Sequence, residues 1–241
     1  QRIYMVNSYS VSHDGGRTFE SVRQSLHGDD RLVWVDPKNS QHVIKLDDGG
    51  IGLSYDRGLK WLYVTSLPVS QLYRVAVDNA VPYSVYGGLQ DNGCWVGPSA
   101  NYSSSGILNE DWRRLCGGDG FGVVPDPANP RNVYAASQYL GLSRNDLQTS
   151  QSVDIRPGDP TGAIGARRNF DVYAQSLPEP ELANAMHPAN WDAPFLLSPH
   201  DSNTVYAGAR HLFRSRDQGS TWEDLGDMTH GVDRRTLEIM G

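Results

Sequence analysis

One short pattern, Ser-x-Asp-x-Gly-x-x-aromatic, occurs three times in this chain and constrains its fold more than any other feature. The copies are Ser12–Phe19, Ser54–Trp61 and Ser215–Trp222. A degenerate fourth copy, Ser143–Asp146, lacks the Gly and the aromatic residue. A motif that recurs along a chain indicates repeated structural units that bury their apolar faces against their neighbours.

A second repeated signal precedes these boxes. Each copy is an apolar segment that ends in Asp, Pro or Asn turn residues and is followed by a short strand. The following strands are predicted at residues 42–46, 83–87, 132–136 and 204–208. Short runs of β-branched and aromatic residues between such turns predict antiparallel hairpins. A period of about 40–50 residues with four short strands is typical of a β-propeller blade.

The repeats therefore predict an all-β fold, a β-propeller of four-stranded antiparallel blades, with about five blades in one domain. The predicted blades are approximately residues 1–24, 30–66, 70–116, 119–157 and 192–226. The first of them lacks its innermost strand. Residues 158–191 form an insertion, and its stretch 178–186 is the one helix candidate.

Two accounts of the ring stay open at this stage. In one, the apolar stretch 236–240 within residues 227–241 supplies the missing strand and closes a five-bladed ring, which removes exposed sheet edges. In the other, the chain is trimmed or fragmentary, since it opens on a strand-like Gln1–Val6 without an initiator Met. The remainder of a larger propeller would then be a partner of this chain.

The residue types of the box have a physical reason. Its Asp can accept backbone N–H groups within its own turn, and its Gly supplies a positive φ without steric strain. The terminal aromatic residue is expected to pack back between sheets. We therefore expect the three box carboxylates to be structural rather than catalytic: Asp14, Asp56 and Asp217.

These residues resemble the Asp boxes of the BNR-repeat propellers found in sialidases, xyloglucanase-type glycoside hydrolases and the sortilin (VPS10) luminal domain. Wider stretches are similar to large bacterial propeller proteins described as glycosyl-hydrolase-like or sortilin-like: Gly87–Gly93, Gly117–Phe121, Asn190–Pro194 and Leu212–Trp222. The resemblance covers essentially the whole chain and implies a propeller fold. For activity it implies either glycan processing or a non-catalytic binding module. Family members are usually much longer, which favours the fragment.

Propeller topology sorts the loops onto two faces. The turns between strands 1–2 and 3–4 of each blade share one face with the boxes. The turns between strands 2–3 and the segments between blades share the other, where carboxylates, amides and aromatic residues suit a sugar ligand at the channel mouth. The predicted ligand-binding residues are Asp47, Asp48, Gln90, Asn92, Gln138, Arg144 and Arg210. For Asp48 and Asn92, each followed by Gly, a hairpin-turn role is the alternative.

The best candidates for a catalytic pair are Asp91 and Asp119, because both are predicted on that second face. Glycoside hydrolysis ordinarily needs two carboxylates, about 5–5.5 Å apart for retention or 6.5–9.5 Å apart for inversion. Asp47 or Asp48 is the reserve partner. A sialidase is less well supported, because the Arg-Ile-Pro signature of that family is missing and no convincing third Arg is identifiable.

Composition excludes several classes. The 28 acidic and 21 basic side chains give a formal charge of −7, which argues against a nucleic-acid partner. No apolar run reaches the about 18 residues that a membrane-spanning helix needs. The His residues form no metal-ligand cluster, so no metal or other cofactor is expected, although a Ca²⁺ ion in the acidic loops stays an alternative. Cys94 and Cys116 lie on predicted neighbouring strands, and a disulfide between them would indicate an extracytoplasmic compartment.

The sequence therefore favours a glycan-recognising or glycan-hydrolysing propeller, secreted or periplasmic. The alternative is a sortilin-like module that binds a peptide or protein in the channel. A purely structural part of a larger propeller is the third reading. Turnover of a polysaccharide would favour the first function and binding without turnover the second. Neither turnover nor binding would favour the third.

Overall fold

The computed structural model describes residues 2–6, 10–21, 27, 29–64, 67, 69–157, 189–228 and 230. These residues form nineteen strands and two single turns of 3-10 helix, at Asn109–Asp111 and Gln138–Leu140. Neither described helix is long and apolar enough to cross a membrane. The chain divides into two compact units, Gln1–Ser70 and Gln71–Gly241.

The first unit contains two antiparallel sheets. One is three-stranded, with β1 (Ile3–Met5), β2 (Ser10–Ser12) and β3 (Glu20–Ser21) in that order. The other is four-stranded, with β4 (Asp30–Val35), β5 (Val43–Asp47), β6 (Gly50–Ser54) and β7 (Leu62–Val64) in that order.

The second unit contains three four-stranded antiparallel sheets, and each again follows chain order from one edge to the other. The first comprises β8 (Leu72–Val77), β9 (Ser84–Leu89), β10 (Gly93–Pro98) and β11 (Arg113–Cys116). The second comprises β12 (Gly120–Pro125), β13 (Asn132–Ser137), β14 (Gly141–Asp146) and β15 (Ser152–Asp154). The third comprises β16 (Phe195–Leu197), β17 (Val205–Gly208), β18 (His211–Ser215) and β19 (Glu223–Asp227).

The predicted all-β class with about five antiparallel blades is confirmed by these five sheets. The helix candidate at 178–186 and the closing segment at 236–240 lie outside the described residues and stay predictions. The insertion 158–191 also lies outside them, apart from its last three residues, which are described.

Strand β13 shows why the sheets of the second unit stack. Successive side chains of a strand point to opposite faces of its sheet. A strand whose sheet is packed between two other sheets must therefore be apolar on both faces. Val133 and Ala135 pack with Tyr86 and Val96 of the preceding sheet. Tyr134 and Ala136 belong to a second core, whose other members include residues of the following sheet, such as Val205 and Phe213.

Glycines allow two of these sheets to approach closely at one edge. A side chain at Gly88 would collide with the backbone oxygens of Gly120 and Phe121. A side chain at Gly120 would collide with the backbone of Gly93. The backbones of β9, β10 and β12 therefore touch where the β9–β10 turn meets the segment that leads into β12.

The three boxes form hairpin turns between the last two strands of their sheets. Asp217 Oδ1 accepts the Thr221 N–H at 2.8 Å and the Ser215 hydroxyl at 2.8 Å, and Oδ2 accepts the Thr221 hydroxyl at 2.6 Å. Asp14 makes the equivalent bonds with Ser12 and Thr18, and Asp56 accepts the Ser54 hydroxyl and the N–H groups of Leu59 and Lys60. All three carboxylates thus hold their own hairpins, in the arrangement that the residue types favour.

The aromatic residues that end the boxes differ in their packing. Trp222 packs against the second core and donates its indole N–H to the Ile155 carbonyl at 2.8 Å. Phe19, at the equivalent position of the first box, remains 44% exposed. The expectation that every box aromatic packs between sheets therefore does not hold for Phe19.

Candidate functional site

The two predicted catalytic residues, Asp91 and Asp119, lie in contact within the second unit. Asp91 occupies the turn between β9 and β10 with a left-handed φ of 58°, and Asp119 immediately precedes β12. Asp119 Oδ1 accepts the backbone N–H of Asp91 at 2.6 Å. A second bond, from the Gly93 N–H to the Gly118 carbonyl at 2.8 Å, ties the same two segments together.

Asp119 is a buried carboxylate that both neighbouring segments use. It is 4% exposed, and its Oδ2 accepts the indole N–H of Trp191 at 3.0 Å. Burial of a charged group is unfavourable unless hydrogen bonds compensate, and here both oxygens have donors. Asp119 therefore positions the turn that carries Asp91 and the segment that carries Trp191. Its role as a catalytic carboxylate stays a prediction.

Trp191 is also held by the 3-10 turn that connects β13 and β14. Its ring meets that of Tyr139 edge-on at 5.1 Å, and the Tyr139 N–H donates to the Trp191 carbonyl at 3.1 Å. Tyr139 and Leu140 have left-handed φ values of 54° and 60°. Such strain in consecutive non-glycine residues persists only where surrounding contacts hold it, and it concentrates at functional sites.

Tyr73 of β8 provides a partly exposed ring beside these carboxylates. The ring is tilted against Phe121 with a centroid separation of 4.8 Å, and the residue is 40% exposed. Burial raises the pKa of Tyr73, and the nearby charges of Asp119, Asp91 and Asp192 raise it further. The phenol therefore stays protonated at neutral pH and can donate its proton in a hydrogen bond.

The residue after Tyr73 forms an ion pair with the residue after Trp191. The Arg74 guanidinium donates two parallel bonds to the two oxygens of Asp192, at 2.7 and 2.5 Å. The Arg74 side chain is 53% exposed and that of Asp192 is 38% exposed. The hydrogen bond to Asp192 raises the pKa of Arg74.

Together these residues form what we call the three-sheet group, because three consecutive sheets contribute to it. Its members are Tyr73, Arg74, Asp91, Asp119, Tyr139, Trp191 and Asp192. Each sits in a strand that begins a sheet, just before such a strand, or in a turn between second and third strands. The group combines aromatic rings, carboxylates and a guanidinium, which are the groups that hydrogen-bond and stack on polar ligands.

The residues with predicted ligand-binding amides lie near the group, and Asn92 uses its amide within its own turn. Asn92 donates its side-chain amide to the Gln90 carbonyl at 3.0 Å, and its own carbonyl accepts the Trp95 indole at 2.6 Å. The Gln90 N–H donates to the Gln71 carbonyl at 3.0 Å. The Gln138 side chain lies against Gly118, whose φ is 66°.

The two predicted arginines bind elsewhere in the second unit. Arg144 of β14 donates to the carbonyl of Gln218 at 2.8 Å, in the third box. Arg210 donates to Asp227 Oδ2 at 2.9 Å, next to an ion pair of His211 with Asp224. Both guanidiniums thus donate to residues of the third sheet of this unit that lie outside the three-sheet group.

In the first unit, Asp47 and Asp48 are both paired with cations. The fully buried Lys45 contacts Asp47 at 3.2 Å and also Asp30. Asp48 accepts two bonds of 2.7 Å from Arg31. These carboxylates therefore hold the β5–β6 hairpin and the start of β4. A ligand role for them stays a prediction. The expectation that the protein needs no metal, and its Ca²⁺ alternative, also stay predictions.

Sequence reasoning missed Tyr73, Arg74 and Asp192. Tyr73 and Arg74 lie within the strand Leu72–Val77, whose other residues are all apolar, so the sequence gives no sign of a site there. Trp191 and Asp192 follow a long segment without repeats, so only their place just before a predicted blade pointed to the second face. Asp119 also lies just before the first strand of a blade, and this shared position was the one clue that linked Trp191 and Asp192 to the site.

The structure joins Cys94 and Cys116 by a disulfide across β10 and β11, 22 residues apart in sequence. The two residues are register partners, with Cα atoms 4.7 Å apart. The bridge ends three residues before Asp119, so it anchors the segment that leads to the three-sheet group.

Comparison with known proteins assigns no family to the chain. No protein-family model matches the sequence, and no curated protein matches it. Among solved structures, the GH74 enzyme of Niastella koreensis is similar at 14% identity and a TM-score of 0.40, over 89% of this chain and 33% of that one. An ancestral GH74 enzyme is similar at 15% identity and a TM-score of 0.39, over 96% of this chain and 30% of that one. An auxiliary nutrient binding protein of Bacteroides thetaiotaomicron is similar at 14% identity and a TM-score of 0.38, over 83% of this chain and 42% of that one. The chain thus spans less than half the length of each of these proteins.

Proposed function

We propose that the three-sheet group binds a glycan and that the chain is a glycan-recognising part of a glycoside-hydrolase-like Asp-box propeller. The observation that carries the proposal is the convergence of aromatic rings and carboxylates from three consecutive sheets. Sugar rings present apolar C–H faces that stack on aromatic rings and hydroxyls that pair with carboxylates. Tyr73 offers both a partly exposed ring and a protonated hydroxyl.

Preorganisation supports binding at this place. Asp119 accepts bonds from the Asp91 turn and from the Trp191 indole at the same time, and Tyr139 meets the Trp191 ring edge-on. A ligand that meets rings and carboxylates already held by the protein loses less affinity to their ordering. The rigid turns are therefore what a specific, polar ligand would need.

Substitution of Tyr73 tests the proposal. We expect Tyr73→Ala to weaken binding of the best ligand from a panel of neutral hexasaccharides by about tenfold, since stacking and its burial contribute about 1–1.5 kcal/mol. The control is Tyr102→Ala, because Tyr102 is fully exposed in the β10–β11 loop. Equal affinities of the two variants in calorimetric titration would contradict the proposal.

The catalytic form of the proposal assigns hydrolysis to Asp91 and Asp119. A retaining or inverting mechanism would use one as acid and the other as nucleophile or base. We expect Asp91→Asn and Asp119→Asn each to lower turnover of a bound polysaccharide at least about a hundredfold. Glu110→Gln, in the exposed 3-10 turn Asn109–Asp111, is the control. Wild-type turnover in both Asp variants would contradict catalysis by this pair and leave binding as the function.

One observation favours a peptide ligand as the second candidate. Among the described strands, none pairs with the outer side of β8, and its Val75 and Val77 are 66% and 56% exposed. An extended peptide can add to such an edge by backbone hydrogen bonds. Retention of wild-type protein by a random peptide library, with no retention by glycans, would favour this candidate.

The disulfide supports an extracytoplasmic compartment for the function, because such bonds persist in oxidising surroundings. The proposed location is secreted or periplasmic, where glycans of cell walls and extracellular matrices are encountered. Mass spectrometry of protein from its native host, alkylated before and after reduction, tests this: free thiols at Cys94 and Cys116 would contradict it.

A further inference from the structure

An exposed arginine beside aromatic rings would ordinarily recruit acidic ligands. Its guanidinium forms forked bonds with carboxylates, which gives it specificity for carboxylate groups. Arg74 follows Tyr73 in β8, and its side chain is 53% exposed. Taken alone, it would select glycans that carry uronic or sialic acids.

Asp192 already occupies the fork of Arg74. Both carboxylate oxygens accept bonds from the two terminal guanidinium nitrogens, so the geometry that would bind a ligand carboxylate is used within the protein. In the described part of the chain, Arg74 has no other ion-pair partner.

The charge of the three-sheet group opposes acidic ligands further. Its carboxylates are Asp91, Asp119 and Asp192, and its one cation is Arg74, so its formal charge is −2. The Tyr73 hydroxyl is within electrostatic range of all three carboxylates. A ligand carboxylate placed over Tyr73 would therefore meet three like charges, and the guanidinium of the group is already paired with Asp192.

We infer that Asp192 is the specificity-determining residue of this site, and that by holding Arg74 it makes the three-sheet group select neutral over acidic glycans. This inference rests on the proposed function. It assigns to Asp192 a role in the choice of ligand.

The test uses ligand pairs that differ in charge alone as far as chemistry allows. The probes are neutral hexasaccharides of glucose, galactose and mannose, each with a counterpart whose primary alcohols are oxidised to carboxylates. We expect wild type to bind at least one neutral member about tenfold or more tightly than its acidic counterpart in calorimetric titration. We expect Asp192→Asn to tighten binding of the acidic member by about tenfold, so that the wild-type preference for the neutral member is lost.

A double variant separates release of Arg74 from a change in net charge. Asp192→Asn alone makes the group less negative and frees the guanidinium, whereas Arg74→Gln with Asp192→Asn restores the wild-type charge and removes the guanidinium. We expect the double variant to bind the acidic probe as weakly as wild type does. The gain in affinity of Asp192→Asn for the acidic probe should also become smaller as salt is raised from about 0.05 to about 0.5 M, because added ions screen exposed charges.

The possible results lead to different conclusions. If wild type binds no probe of any pair, the proposed function fails and the inference fails with it. If wild type binds both members of a pair equally and Tyr73→Ala weakens both, the proposed function stands and the inference is overturned. Unchanged preference in Asp192→Asn, or tight acidic binding in the double variant, would also overturn it.

Discussion

At the scale of single residues, aspartate does several separate jobs in this chain. The box carboxylates accept hydrogen bonds from their own hairpins, Asp119 links three segments through N–H donors, and Asp192 pairs with an arginine. The formal charge of −7 therefore reflects structural carboxylates as much as ligand preference. Residue type alone does not separate these roles, because each depends on which donor lies opposite.

The box carboxylates should make stability sensitive to acid. Bonds from the Thr221 hydroxyl and N–H, and from the Ser215 hydroxyl, lower the pKa of Asp217 to about 2 from its usual value near 4. A lowered folded-state pKa means that the contribution is complete above about pH 4 and is lost as the pH falls through about 2.

We expect Asp217→Asn to flatten the pH dependence of the urea unfolding midpoint between pH 4 and about 2. Below that range, wild type and variant should converge, because the wild-type carboxyl is then protonated. Glu110→Gln serves as the control. Parallel curves for wild type and Asp217→Asn across the whole range would contradict a structural role for this carboxylate.

At the scale of elements, turn chemistry and strand pattern were readable from the sequence, whereas contacts between sheets were not. Hairpins such as β5–β6 and β13–β14 follow from local periodicity and turn residues. The bond from Trp191 to Asp119 joins residues 72 positions apart, and no local rule predicts it. For the same reason the pair of Arg74 and Asp192, 118 positions apart, had no signature in the sequence.

The close approach at Gly120 gives a prediction at this scale. A methyl group at Gly120 would meet the backbone of Gly93, which cannot yield as a flexible side chain can. We expect Gly120→Ala to lower the free energy of unfolding by about 1–3 kcal/mol. It should also weaken glycan binding, because Asp119 and the Asp91 turn would be displaced.

Gly117→Ala is the matched control for Gly120→Ala. A methyl group at Gly117 would meet only the Arg114 guanidinium at an ordinary 3.5 Å, so its effect on stability should stay within about 0.5 kcal/mol. Chemical denaturation of both variants compares them, and equal stabilities would show that the sheets do not need the close contact.

The disulfide gives a second prediction at this scale. It closes a loop of 22 residues between β10 and β11. We expect replacement of both cysteines by serine to lower the free energy of unfolding by about 3 kcal/mol, as loop-closure entropy for that length predicts. An unchanged unfolding midpoint of the double Ser variant under non-reducing conditions would contradict this expectation.

At the scale of the whole molecule, the two repeated signals together sufficed for the class of fold and for the number of sheets, because every sheet contains a box, an apolar segment that ends in turn residues, or both. They did not suffice for the site, because repeats describe what the blades share and a site depends on where they differ. Asp192 belongs to no repeated motif, and Tyr73 lies in a strand rather than in one of the repeated turns. The differences between blades become informative only when three-dimensional neighbours are known.

The central claim is that a glycan binds at the three-sheet group, and the most direct test is a crystal structure of the protein with the best hexasaccharide of the panel. We predict a sugar ring stacked on Tyr73 and within hydrogen-bonding distance of the residues around Asp192. A hexasaccharide bound at the box turns, or binding that leaves Tyr73, Trp191 and Asp192 without contact, would contradict the account.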